Sequence, residues 1–131
     1  MSLVYFERTF KPCIFNEVIS WHLAHGWVWN IIDRKSLRPI GVFYATLLCG
    51  DGVLLHFDTL PDVEIPFALT LSAMKRGIRL VEPHADLILA TIPEVKHKLI
   101  QCAQKMGFRR ISNFRRDNQA IVVLQFFPPP K

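Results

Sequence analysis

The chain has 131 residues, half of them apolar, and 16 Lys and Arg against 11 Asp and Glu leave a formal net charge of +5. That length suits one domain with a sizeable core, and no run approaches the roughly 18 uninterrupted apolar residues of a membrane-spanning helix. The three cysteines, Cys13, Cys49 and Cys102, show no CxxC or Cys/His spacing, which argues against a disulfide framework or a zinc site, and so modest a basic excess selects no partner by itself.

The opening "MSLVYFERTF" places Glu7 and Arg8 where a signal peptide needs an apolar run, so a reduced, cytoplasmic setting is expected. Residues 3–10 read as a first strand. Apolar spacing at Phe15, Val18, Ile19, His22 and Leu23 then predicts a helix capped by Asn16 and stopped near Gly26. Trp21, Trp27 and Trp29 gather around its end. If exposed they would mark a surface for a protein partner, although core packing suits Trp27 better. His22 and His25 lie three apart with no third ligand in register, so no metal is expected.

Residues 39–48 and 53–60 read as a β-hairpin, with Asp51-Gly52 supplying the positive φ angles of a tight turn. Pro66 suits the first position of a helix with Phe67, Leu71 and Met74 on one face and Gly77 at its end. "ADLILATI", 85–92, reads as a strand buried on both faces. A capping box from Thr91 to Glu94 opens the last helix, whose core stripe is Val95, Leu99, Cys102, Ala103 and Met106. Cys102 on that stripe fits a small core residue. Gly107 can take the left-handed cap, and Phe108 can fold back on Ala103.

Two strands flank "RRDNQ". The second, "IVVLQFF", is apolar at nearly every position and is expected inside the sheet. Arg109, Arg110, Arg115 and Arg116, interleaved with Phe108 and Phe114, form either a solvated strand face or a grip for nucleic acid. Without an accompanying nucleic-acid motif the first is expected. "FPPPK" closes the chain as a tail, because consecutive prolines cannot pair in a sheet. The expected organisation is one domain over 1–127 and a Pro-rich tail over 128–131. Its order is strand, helix, strand, strand, helix, strand, helix, strand, strand, which argues for one α/β sheet with helices on its faces.

This order, with "LILATIPEVKHKLIQCAQKMGFRRI" as a strand–helix module ending in Gly107-Phe108 and "IVVLQFF" as the last strand, resembles the GNAT superfamily of N-acetyltransferases. The resemblance implies a single mixed, mostly antiparallel sheet flanked by helices. It also implies transfer of an acyl group from acetyl-CoA or another acyl-CoA to an amine by direct attack on the thioester. In such enzymes a strand splays from its neighbour and pairs with the pantetheine arm. A loop patterned Arg/Gln-x-x-Gly-x-Gly/Ala then holds the pyrophosphate at a helix start. Carried onto this chain, the co-substrate site comprises Phe57, Thr59, Leu60, Ile65 and Phe67. The catalytic base falls on His56 or Asp58, which alternation puts on one face; the same pair would equally serve as a structural hydrogen-bonded unit.

The chain departs from that pattern. The loop falls on "DVEIPF", 62–67, with Asp62 in place of the basic or amide residue and Ile65 and Phe67 in place of glycines. Pro66 removes an N–H donor, and Asp62 and Glu64 would set two carboxylates beside the pyrophosphate. Ala103 stands where the family has its acidic Tyr, and Lys96 where an Asn is common. The alternative reading is therefore a non-catalytic protein of the same fold that serves as an interaction module.

Overall fold

The computed structural model describes residues 3–48, 50–60 and 65–128, with every side chain except that of His25. In chain order the described elements are β1 Val4–Arg8, α1 Glu17–His25, β2 Trp27–Asp33, β3 Pro39–Leu47, β4 Gly52–Thr59, α2 Phe67–Val81, β5 Leu87–Pro93, α3 His97–Lys105, β6 Phe108–Arg116 and β7 Gln119–Phe126. The strands form one 7-stranded sheet in the order β1-β2-β3-β4-β5-β7-β6. Neighbouring strands are antiparallel except β4 and β5. The crossover joining that parallel pair is α2, as a parallel connection requires.

Alternation along the strands sorts the side chains between two layers. Phe43, Ala45, Val53 and Leu55 face the larger core, which takes in Ala73, Ile78 and Val81 of α2 and Ala103 of α3. Val28, Val42 and Tyr44 face the other way and pack with Ile19 of α1. The helices thus cover both faces. The apolar last strand does lie inside the sheet, between β5 and β6. Asp117 and Asn118 form its turn with φ of 51° and 64°, as a two-residue hairpin demands.

Several sequence-based boundaries shift. "WVWNIID" is a strand, β2, half or fully buried along its length between β1 and β3, where the sequence suggested only a tryptophan cluster. In the β3–β4 hairpin the positive φ among the described residues belongs to Gly50, at 75°, not to Asp51-Gly52; Gly52 is already paired, its carbonyl accepting from the Leu48 N–H. Gly77 does not end α2. It sits inside the helix because a Cβ there would lie 2.7 Å from the Phe43 ring. The Thr91–Glu94 capping box does not form, since β5 runs to Pro93 and α3 begins at His97 without a side-chain cap. As a result Val95 lies outside the helix and is exposed, as are Phe15, Val18 and Phe67.

Two helix termini follow the sequence. Asn16 accepts a hydrogen bond from the Ile19 N–H at 2.9 Å. Gly107 follows α3 with φ 112°, and a Cβ on it would meet the Phe127 carbonyl oxygen at 2.9 Å and the Phe126 ring at 3.1 Å. Gly107→Ala therefore combines backbone strain with a clash, and the expected loss is roughly 1–3 kcal/mol of stability. An unchanged melting temperature would refute this account of the cap.

Candidate functional site

β4 and β5 are paired only from Gly52↔Leu87 to Leu55↔Ala90. Beyond that point β4 stays with β3, as far as Gly41↔Thr59. β5 stays with β7, through Thr91↔Val123 to Pro93↔Ile121. The two strands therefore part like a V, and among the described residues, 56–59 of β4 have no partner strand on their β5 side.

A cavity of about 150 Å³ opens at the fork, with walls from both faces of the sheet. Phe57, Met74, Ile78 and Leu99 line it from the α2/α3 side, and Tyr44, His56 and Asp58 from the α1 side. It fills the gap between the parted strands and forms a passage bordered by residues of both faces. A larger groove of about 760 Å³ continues it between the starts of α2 and α3, walled by Thr59, Ile65 and Phe67 opposite Lys96, His97 and Lys98. Phe57, Lys96 and Leu99 border both spaces.

The α1 side of the passage is polar and ordered. The Tyr44 hydroxyl donates to Asp58 Oδ2 at 2.7 Å. Burial, followed by this bond to a carboxylate, raises the Tyr44 pKa well above its usual value, so the phenol keeps its proton. The other Asp58 oxygen has no protein partner among the described residues. His56, opposite Tyr44 in the ladder, stacks on its ring at 4.7 Å and 14°. Burial, then repulsion from His22, pushes the His56 pKa down to about 4 against a weaker upward pull from Asp58. The imidazole is therefore neutral at physiological pH.

His22 backs this cluster from α1, with its ring 5.5 Å from His56 and 4.7 Å from Tyr44. Its Nδ1 lies 2.7 Å from the Val18 carbonyl, which can only accept, so Nδ1 carries the hydrogen. Nε2 meets the Thr46 hydroxyl. Every polar group in the cluster is thus either bonded or open to the passage.

Of the residues expected from sequence, His56 and Asp58 do share a face, but Asp58 bonds to Tyr44 and not to His56. A pKa near 4 also makes His56 a poor proton acceptor near neutrality. Phe57 lines passage and groove, and Thr59, Ile65 and Phe67 line the groove. Leu60 borders neither, and its N–H donates to the Ile40 carbonyl. Asp62, Val63 and Glu64 lie outside the described residues. Pro66 caps α2 only with its carbonyl, which accepts from Leu69 and Thr70.

The tryptophans do not form one patch. Trp29 packs on Phe43 at 5.5 Å and Trp27 lies 6.4 Å from Trp29, on the face away from α1, whereas Trp21 on α1 is 49% exposed. Burial raises the pKa of Cys13 and Cys102, so neither is poised as a thiolate; Cys49 lies outside the described residues. Among the described residues no group of His, Cys, Asp and Glu could hold a metal, and no helix is long and apolar enough to cross a membrane.

Tyr44, His22 and Thr46 were not singled out for the site from sequence, nor were His97 and Lys98 at the start of α3. Cross-strand pairing was the available signal for Tyr44, and it needed the right hairpin register.

No family model and no curated protein sequence matches the chain. Solved structures do match in backbone. An IAA acetyltransferase from Bacillus cereus superposes with a TM-score of 0.74 at 11% identity, over 94% of this chain and 98% of that one. A spermidine N-acetyltransferase mutant from Vibrio cholerae gives 0.71 at 7% identity, over 95% and 93%. A GNAT family acetyltransferase from Elizabethkingia anophelis, with acetyl-CoA bound, gives 0.69 at 9% identity, over 95% and 97%.

Proposed function

We propose that this chain, which has the fold of the GNAT acetyltransferases, transfers an acyl group from acyl-CoA to an amine across the passage between β4 and β5. One observation carries the reading: a single opening joins the free edge of β4 and its groove on one face to the Tyr44–Asp58 pair on the other. Two reactants can enter from opposite sides and meet without sharing a channel.

The amine arrives as an ammonium ion. Asp58, fixed through one oxygen by Tyr44, offers the other as counter-charge, and neutral His56 beside it adds no repulsion. After loss of a proton through Asp58 to solvent, the nitrogen lone pair attacks the thioester carbonyl carbon. The C–N bond forms, the C–S bond breaks with its electron pair on sulfur, the nitrogen gives up its second proton to solvent, and the thiolate takes a proton from water. With Ala103 at the relevant position of α3, no side-chain acid is assigned to that last step. A thioester carbonyl placed at the fork would be held in near-attack geometry, the main source of rate in a direct transfer.

The groove fits a long flexible arm along the unpaired edge of β4. The glycine loop expected of such enzymes is replaced, since Ile65, Pro66 and Phe67 narrow the approach to the start of α2. The compensating charge is on the other wall. Lys96, His97 and Lys98 border the groove at the start of α3, whose first turn carries no acid, and we assign the co-substrate's phosphates to that wall. Lys96→Glu/Lys98→Glu should weaken acetyl-CoA binding roughly tenfold or more. Binding of S-acetylpantetheine, which has no phosphates, should be unchanged; equal loss for both would place the phosphates elsewhere.

Thermal melting with acetyl-CoA tests the function itself. A cofactor that binds only the folded chain raises the transition by mass action. Thiol release in the presence of primary amines should accompany it. A flat response at millimolar acetyl-CoA would leave the non-catalytic interaction module as the reading.

A further inference from the structure

β6 is the last strand of the sheet and is paired on one side only, with β7. After Phe108 every residue of it is exposed, so neither face of this strand is covered by a helix. Its outer backbone edge is a row of donors and acceptors with no partner among the described residues, a ready template for a further strand. Ile111 and Phe114 on it are 49% and 43% exposed.

The charges on this edge are of one sign. Arg109, Arg110, Arg115 and Arg116 lie on β6, and no acid does. Glu94 meets Arg110 at 3.6 Å in a pair almost half exposed, which is worth little in water. Arg115 donates to the Asn118 carbonyl, and Arg109 lies over the Phe127 ring. The register shifts between Arg110 and Ser112, so Ile111 is the extra residue of a bulge and the regular ladder is the stretch 112–116.

Two copies of such an edge repel. An antiparallel β6–β6 pair would bring arginines near one another on both faces, and like charges placed across strands destabilise the pair. The same arrangement favours an acidic strand. We propose that β6 is a docking edge for an extended acidic segment of a partner protein, which adds to the sheet beyond β6. Carboxylates of that segment would lie across from Arg115 and Arg116 on the two faces, with an apolar side chain against Phe114. Duplex nucleic acid would meet the arginines but leave the main-chain edge and the two apolar side chains unused.

The test uses a fluorescein-labelled Val/Glu peptide of repeating Val-Glu-Glu, its Val/Lys counterpart of repeating Val-Lys-Lys, and a 20-base-pair DNA duplex, each titrated into the whole protein by fluorescence anisotropy. The Val/Glu peptide should bind. N-methylation of alternate peptide amides, which removes main-chain donors and keeps the charge, should weaken it roughly tenfold or more, as should Arg115→Glu/Arg116→Glu. Amide exchange over 112–116 should slow on binding. Four results overturn the proposal: no binding of the Val/Glu peptide at millimolar concentration, indifference to N-methylation, tighter binding of the DNA, or self-association of the free protein through this edge by sedimentation equilibrium.

Discussion

Asp58→Asn is expected to lower acyl transfer by roughly 100-fold or more, the usual scale for loss of a proton-transfer group, while leaving the fold in place. The substitution is close to isosteric, and the amide oxygen can still accept from the Tyr44 hydroxyl. The packing of β3 on β4 should therefore survive. What is lost is the charge: an ammonium ion reaching the passage finds no counter-ion, and an amide cannot take up a proton. The effect should fall on both kcat and the KM for the amine, and the affinity for acetyl-CoA on the far side of the sheet should not change. An independent signature comes from Tyr44. Its pKa is raised by burial first, but the bond to Asp58 and its charge also contribute. In the variant the phenol should ionise at lower pH, which is visible in the ultraviolet. Turnover equal to wild type with that shift present would remove Asp58 from the reaction, while an unshifted Tyr44 would mean that the pair itself is misplaced.

Much of this arrangement was legible in the sequence, and the failures have physical causes. "IVVLQFF" is apolar at almost every position, and only an internal strand needs both faces apolar, so the place of β7 could be read directly. Gly107 and Asn16 could be read because capping is local and depends on one or two atoms. β2 was missed because "WVWNIID" has no alternation, being half or fully buried throughout, and its tryptophans invited a different explanation. The start of α3 was missed because "TIPE" satisfies the spacing of a capping box while Thr91, Ile92 and Pro93 are held extended by β7. Tertiary pairing outweighed a local preference worth about 1 kcal/mol.

The site suffered most from one turn. With Asp51-Gly52 as the central turn residues, Leu47 would lie opposite His56. In the structure the turn is longer, and Tyr44 lies opposite His56. An error in register of an odd number of residues moves a whole strand to the wrong face, so Tyr44 could not be placed beside Asp58 from sequence. His22 was read as part of a helical stripe. That stripe does face the sheet, but nothing in the sequence aimed its ring at a residue thirty-odd positions away.

The second large effect is a loss of stability in mild acid that belongs to His56. Its pKa in the folded chain is about 4 against an ordinary 6.5. The folded value is the lower one, so between these limits the unfolded chain binds more protons than the folded chain. The sign follows: the contribution is complete above about pH 6.5 and is lost as pH falls towards 4, below which both states are protonated and nothing more is lost. At 1.36 kcal/mol per pKa unit the whole difference is about 3 kcal/mol, of which about 2 kcal/mol should appear between pH 7 and pH 5. The charged and titratable groups around the ring are His22, Tyr44 and Asp58. Asp58 favours the protonated ring, but burial and His22 outweigh it. Protonation must therefore either disrupt the stack on Tyr44 or open the passage to water. Carboxylates elsewhere also titrate in mild acid, so the comparison is with His56→Gln, which keeps a polar side chain and cannot gain a proton there. Urea unfolding at pH 7 and pH 5 should show wild type losing about 2 kcal/mol more than the variant over that interval. The amine KM of wild type should rise only as pH falls towards about 4, where the ring of the folded chain becomes cationic and faces the ammonium ion beside Asp58. Parallel stability curves for the two proteins would show that His56 titrates near its ordinary value, and the passage would then be wetter than its packing indicates.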